Sequence, residues 1–332
     1  MESKGVYLNE IPAAGEITFL AVVVDKEIRP KRNGGSYLAL RLADRSAELD
    51  AKVWDSPEAV AQLFSTSDVV KVRGTVDHYN DKPQLIVSRI RRCEPHEYDA
   101  ADFYPASRRD PEEMFGELQA FVAMIRNDAL RQLIDSIVND AAISGRLRTA
   151  PAALKIHHAF RAGLLEHIVS LCSLAVALTA HYQRLNLDWL IAGAVLHDLG
   201  KIDTLTSTGV RFDYTTRGQL IEHVTLGLEI LDRHVSRLPA FPLELKTVLQ
   251  HLIVSHHGDL DKGALRRPML PEALALSILD LLDARMEQVF RTIDSSPDRE
   301  EFTPYVPSLE RQLFRGFAAA SAERIATGGT AS

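Results

Sequence analysis

Seven side chains of metal-ligand type stand on apolar helical patterns where core residues are expected. His167 lies in GLLEHIVSLCSLAVAL on the face of Leu164, Leu171 and Leu174, and His197–Asp198 close LDWLIAGAVLHDLGK ahead of Gly200 and Lys201. His223 sits in QLIEHVTLGLEIL, His256–His257 end LQHLIVSHHG with Gly258 as cap, and Asp280 is flanked by leucine in LALSILDLLDARM. Burying a lone imidazole or carboxylate costs several kcal/mol unless it is paired. Each residue alone reads as a hydrogen-bonded core histidine or a cap; together, on successive helices, they require a common partner. Ten of the twelve histidines fall between His157 and His257, so the chemistry is concentrated in the middle of the chain. Imidazole and carboxylate without thiolate suit Mn²⁺, Fe²⁺, Mg²⁺ or Zn²⁺ in mixed nitrogen and oxygen coordination.

The elements that must position these groups divide near residue 95. From Glu16 to Arg92 short apolar runs alternate with turn signals. EITFLAVVVDKEIRP reads as a long strand ending near Pro30, and KRNGG turns into SYLALRLAD, where Leu38, Leu40 and Leu42 oppose Tyr37, Ala39 and Arg41. AELDAKVWD sets Leu49, Ala51 and Val53 opposite Lys52 and Trp54. SPEAVAQLF follows as a short helix, with Ser56 as N-cap and Pro57 at its first position. DVVKVRGTVDHYNDKPQLIVSRIRR supplies two more strands around NDKP. Five strands with a helix between the third and fourth is the order of an OB-fold, a small barrel that commonly binds oligonucleotides; a barrel without a binding role is the alternative. Residues 94–110 read as a polar linker, and 111–326 as an all-α domain, with 327–332 a frayed tail. Its helices are expected in PEEMFGELQAFVAMI and ALRQLIDSIVNDAAI and near 162–184, 188–199, 218–235, 242–256, 271–290 and 307–326.

Length and composition bound the alternatives. A chain of 332 residues, 46% hydrophobic and 25% charged, fits two ordinary globular domains. Two cysteines, Cys93 and Cys172, are too few for a disulfide framework or a four-cysteine zinc site. The N-terminus MESKGVYLNE lacks the apolar core of a signal peptide, and apolar stretches such as Leu190–Leu196 are shorter than a bilayer span, so a cytoplasmic protein with no membrane partner is expected. The net charge of −7 argues against a protein that coats nucleic acid, though not against a local basic groove.

The order His167, His197–Asp198, His223, His256–His257, Asp280, with the segment LHDLGK, resembles the HD-domain metal-dependent phosphohydrolases. An OB-fold ahead of IHHAFRAGLLEH, LIAGAVLHDLGK, SHHG and ILDLLDARM is similar to the YhaM-type 3′–5′ exoribonucleases, over roughly Glu16 to Phe314. The chain departs from the related cyclic-dinucleotide phosphodiesterases, which carry a glutamate where Gly163 stands and a GYP signature absent here. The resemblance implies one ion held by His167, His197, Asp198 and Asp280. It also implies a second held by His223, His256 and His257, with Asp198 as the bridge and Mn²⁺ ranked first. Lys201 is then placed for the scissile phosphate, or is simply a cation favoured at a helix C-terminus. Arg161 is the candidate for a flanking phosphate, ahead of His157 and His158. In the barrel, Tyr37, Trp54 and Tyr79 are candidate stacking platforms, and Arg29, Lys31, Arg32, Lys52 and Lys82 candidate phosphate contacts; each alone reads equally as surface or packing.

The reaction implied is hydrolysis of single-stranded RNA from its 3′ end to nucleoside 5′-monophosphates, with single-stranded DNA and a homo-oligomeric state left open. Two other readings stand beside it. One is an HD-type nucleotide or cyclic-nucleotide phosphohydrolase whose barrel senses or oligomerises. The other is a nucleic-acid-binding protein with a structural HD site, disfavoured by an intact set of buried polar residues.

Overall fold

The computed structural model describes residues 4–31, 34–79, 82–99, 102–103, 107, 109–153, 158–208, 211–295 and 301–316. The first part is a closed five-stranded barrel of β1 (Gly15–Pro30), β2 (Ser36–Ala43), β3 (Glu48–Val53), β4 (Val69–Tyr79) and β5 (Lys82–Arg92). Its strands run in the order β1-β2-β3-β5-β4, and helix α1 (Pro57–Ala61) joins β3 to β4. Period-two alternation builds it: Leu38, Leu40 and Leu42 of β2 and Leu49, Ala51 and Val53 of β3 point into one core with Phe19, Val70, Val72 and Leu85. Closure comes from a short parallel pairing of Asp50–Lys52 with Gln84–Ile86. Ser56 precedes α1 in the left-handed region (φ 47) and its side chain caps nothing, so Pro57 alone marks the helix start as expected.

The remainder is mostly helical: α2 (Pro111–Ala123), α3 (Asp128–Val138), α4 (Ala141–Leu147), α5 (Gly163–His181), α6 (Leu187–Leu196), α7 (Lys201–Thr204), α8 (Thr216–Val235), α9 (Leu243–Ser255) and α10 (Pro271–Ser295). Asp110, Asn127, Asp140, Asn186 and Thr215 cap α2, α3, α4, α6 and α8 through their side-chain oxygens. At the centre α5 packs on α2, α6 and α10, and α6 also on α9 and α10. By length and a mean hydropathy of 1.7 over its best window α5 could cross a membrane, yet it carries the buried His167 and lies within the helical core.

Three features differ from the sequence expectation. The second part is not purely helical: β6 (Leu205–Thr208) and β7 (Arg211–Tyr214) form a hairpin between α7 and α8. Its threonines, Phe212 and Tyr214 are β-formers that a search for helical spacing passes over. The helix expected over 307–326 is absent from its described part, 307–316, and residues 317–326 lie outside the described residues. There Phe302 pairs with Phe314 and Val306 with Arg311, around Glu310 at φ 55. Pro304 and Pro307 bring no backbone donor to a first turn, and the chain reverses instead. Finally, the linker is partly packed. Tyr98 and Phe103 join Leu20, Val22, Val69 and Cys93 in a small cluster that Phe212 of the hairpin also enters. Tyr7 donates to Asp102 at 2.5 Å, and Ser107 N to Arg161 O at 3.0 Å.

Candidate metal centre and nucleic-acid face

Every expected ligand reaches its place through a local feature of its helix. His167 is fully buried on α5, and His197 and Asp198 follow α6, whose residues Leu190–Leu196 are all buried. Gly200 then brings the chain against α8: a Cβ there would lie 1.9 Å from His223 O and 2.6 Å from Gly227 N. That approach is what sets Asp198 beside His223. Inside α8, Glu222 adopts φ 62, ψ 163, which breaks the helix one residue before His223. A non-glycine residue held there stores about 1–3 kcal/mol of strain, and such residues cluster at functional sites. His256, the C-cap of α9, and His257 follow the helix, and Gly258 at φ +79 turns the chain away.

The donor atoms converge in two groups around one carboxylate. On one side His167 Nε2 lies 3.3 Å from His197 Nε2, 3.2 Å from Asp280 Oδ1 and 4.0 Å from Asp198 Oδ2, and His197 Nε2 lies 3.5 Å from Asp198 Oδ2. On the other, Asp198 Oδ1 is 3.4 Å from His223 Nε2 and 3.6 Å from His256 Nε2, which are 3.5 Å apart. His257 completes this second group within 4.8 Å. Ligands bound at about 2.0–2.2 Å stand roughly 3 Å apart at right angles, so these separations are those of ligands around divalent cations.

The outer contacts fix which nitrogen faces inward. Nδ1 is engaged by Asp283 in His167 (2.7 Å), Ala194 O in His197 (3.0 Å), Glu222 in His223 (2.7 Å) and Ile253 O in His256 (2.6 Å). With the Nδ1 proton donated to an oxygen, Nε2 keeps its lone pair for the centre. Asp283 also takes His158 Nε2 at 3.0 Å and the Ser170 hydroxyl. Burial disfavours charge on His167, but Asp280 and Asp283 outweigh it and raise its pKa to about 9. Burial pushes His256 well down and His223 down. Asp198 is held well below the carboxylate range despite burial, by Lys201 and His197.

Among the described residues, Asp198 Oδ1 and His257 Nδ1 at the centre, like His158 Nδ1 beside it, are buried with no hydrogen-bond partner. An oxygen-and-imidazole donor set with orphaned atoms at its centre fits divalent cations. The set opens into a cleft of about 500 Å³, lined also by Lys201, Lys262, Arg267 and the outer face of α10. Lys201 donates to Asp198 Oδ2 at 2.5 Å. Arg161 is exposed and does not line this cleft; Lys262 and Arg267, in the loop after α9, line it together with Lys201. His158 is buried on Asp283 as a positioning group, and His157 lies outside the described residues.

On the barrel, the rings of Tyr37 and Trp54 stand 4.9 Å apart. Lys31 Nζ lies 5.3 Å from the Trp54 ring, and Lys52 Nζ 6.0 Å and 5.9 Å from the two rings. Arg29 pairs in register with Tyr37 and binds Glu27 at 2.7 Å. Arg32 lies outside the described residues, as do the side chains of Tyr79 and Lys82, although Tyr79 and Lys82 pair where β4 meets β5. Sequence reasoning missed Lys262, Arg267, Glu222, Ser170 and Asp283. Only Asp283 carried a signal: it stands one turn beyond Asp280 on the same helix.

Comparison with known proteins follows the two halves. Residues 164–285 match the HD domain family, and 17–92 the family described as an OB-fold nucleic acid binding domain. The chain is 32% identical over 313 residues to the 3′–5′ exoribonuclease YhaM of Bacillus subtilis (strain 168), covering 94% of this chain and 98% of that protein. It is likewise 32% identical over 315 residues to YhaM of Geobacillus sp. (strain WCH70), covering 94% of each. Among solved structures, a replication protein A heterotrimer bound to ssDNA aligns with 25% of this chain and 60% of that one, at 20% identity and a TM-score of 0.20.

Proposed function

Because the chain belongs to the YhaM 3′–5′ exoribonuclease family, we propose that it hydrolyses single-stranded RNA from the 3′ end with two divalent cations, releasing nucleoside 5′-monophosphates. The observation that carries the two-ion reading is Asp198, whose Oδ2 faces one histidine group and whose Oδ1 faces the other. A carboxylate offers two oxygens to two ions, which an imidazole with one free lone pair cannot. When bound, such ions lower the pKa of a water between them and neutralise charge on the phosphoryl oxygens. Of Mn²⁺, Fe²⁺, Mg²⁺ and Zn²⁺, all of which suit this donor set, Mn²⁺ is the ion we propose.

The chain's own groups then bind and orient. Lys201, released from Asp198, is placed to contact the phosphoryl group or the departing 3′ oxygen. Lys262 and Arg267 hold flanking phosphates by charge-assisted hydrogen bonds. Tyr37 and Trp54 stack bases of the strand, with Lys31 and Lys52 on its phosphates, a mode tolerant of sequence and equally open to single-stranded DNA. Cys93 and Cys172 are both buried, and this reading places the enzyme's work in the reducing cytoplasm.

Asp198→Ala is the test, with product analysis on an end-labelled oligoribonucleotide. It is expected to abolish release of monophosphates while circular dichroism stays native, since little apolar packing is lost. Full activity in the folded variant would refute the reading.

A further inference from the structure

We propose that the outer wall of the metal cleft seats the terminal nucleobase, which Leu274, Ile278 and Leu281 of α10, with Pro268, hold by apolar contact alone. The proposal rests on the exoribonuclease reading and adds what the site recognises. At ~100° per residue, the cleft-lining side chains come round α10 in the order Asp280, Ala284, Ser277, Leu281, Leu274, Ile278. The face thus begins at Asp280, a partly buried candidate metal ligand, passes over two small residues and rises into three large aliphatic ones. Their exposure grows in the same sense, 48% at Leu281, 54% at Leu274 and 57% at Ile278.

Large aliphatic side chains left half exposed in one row, inside a cleft, mark a site that an apolar surface covers. The occupant is set by what adjoins the row. Its inner end is the metal centre with Lys201, Lys262 and Arg267, a place for phosphate, and Ser277 and Ala284 leave room for a sugar between. A cleft of about 500 Å³ is of small-ligand size. Phosphate at the ions, ribose over the small residues and base against the aliphatic row is the layout of one nucleotide. In the reaction, water adds to phosphorus, the bond to the preceding O3′ breaks and that oxygen takes up a proton. The terminal nucleotide therefore leaves as a 5′-monophosphate from this same seat.

Among the described residues no Asn, Gln, Phe, Tyr or Trp lines the cleft. The Ser277 hydroxyl already donates to Leu274 O at 2.9 Å. Asp259, the remaining carboxylate of the lining besides Asp198 and Asp280, is taken up by Lys262 at 3.3 Å and lies 3.9 Å from Arg267, so the base edge meets no side-chain amide or unengaged carboxylate on this wall, and the four bases are held alike.

The test uses the full-length, Mn²⁺-loaded protein degrading a labelled oligoribonucleotide, with AMP, GMP, CMP, UMP or ribose 5-phosphate as inhibitor. The four monophosphates are expected to inhibit within a few-fold of one another, and about tenfold more tightly than ribose 5-phosphate. Ile278→Ala/Leu281→Ala should remove that advantage and leave inhibition by ribose 5-phosphate unchanged, which also shows that the variant is folded. Equal inhibition by AMP and ribose 5-phosphate in the wild type, or unaltered AMP inhibition in the double variant, would overturn the base seat. So would a fall in sedimentation mass of the double variant, which would make the row a contact between copies of this chain. Absence of RNA hydrolysis by the wild type would instead strike the exoribonuclease reading itself.

Discussion

Replacing Asp283 by asparagine probes how the first metal position is held. The carboxylate takes the His167 imidazole at 2.7 Å, His158 at 3.0 Å and the Ser170 hydroxyl. Asparagine keeps the shape but offers one accepting oxygen, so its amide nitrogen must meet a donor. Loss of such an outer partner of a ligand histidine costs about 10–100-fold in metal affinity, roughly 1.4–2.7 kcal/mol. The same carboxylate also strengthens the competing proton. With a pKa of about 9, His167 releases about one proton on binding metal between pH 6.5 and 8.5, so wild-type affinity should rise about tenfold per pH unit. Burial pushes His223 and His256 below the ordinary imidazole value, so the proton on His167 is the stronger competitor in this range. Without Asp283 the His167 pKa falls, the slope flattens, and the deficit widens as pH rises. Competition between the protein and a chromophoric chelator for Mn²⁺ reads both quantities, with near-ultraviolet circular dichroism to report the fold. A variant that binds within twofold of wild type, or follows a parallel slope, would refute the argument.

Trp54→Ala should raise KM for a long single strand by about 5–150-fold, the worth of one stacked base, and leave a dinucleotide unaffected; equal KM for the long strand would remove the barrel from the binding path. Asp44→Ala should destabilise the protein by about 3–5 kcal/mol in urea titrations, because it strands the buried Lys4 ammonium bound at 2.8 Å and the Leu8 amide. Despite burial, Lys4 and Ser46 hold Asp44 below its ordinary 3.8, so this stability is complete above that pH and drains away as pH falls through the lowered value. A loss that appeared at alkaline pH would contradict the assignment.

The ligand set was legible because each member interrupts an apolar face, and only a shared partner offsets burial of so many polar groups. The barrel was legible for a similar reason: period two in SYLALRLAD and AELDAKVWD leaves no helical alternative. Asp283 showed only its spacing from Asp280, since a charged residue on a half-exposed helix is ordinary until His167 and Ser170 of α5, and His158 ahead of it, are seen against it. Arg161 was named from its nearness in sequence to His167; in the structure it is exposed and is not among the residues that line the cleft, and Ala162, at φ 63, turns the chain between them. The segment after Pro304 carries apolar residues at helical intervals, Leu309 and Leu313 among them. Glu310 turns it back, and Leu313 O accepts from Thr303 N at 2.9 Å. Such spacing alone does not distinguish a helix from a folded-back loop.

The hairpin β6–β7 ties the order of synthesis to the assembly of the metal centre. It is inserted between Asp198 and Lys201 on one side and His223 on the other, and Phe212 packs with Leu20, Val22, Val69 and Cys93. The barrel is complete at Arg92, and domains fold as units, the N-terminal one first, as the chain is made. The seat of Phe212 thus precedes the hairpin in the chain, and the hairpin precedes α9 and α10, which bring His256, His257 and Asp280. Folding in that order would let the barrel serve as a template for the half of the molecule that holds the metal candidates. A chain carrying a foreign barrel without that apolar seat would have to close its metal loops unaided, and its ions would bind late in folding or to a looser cage.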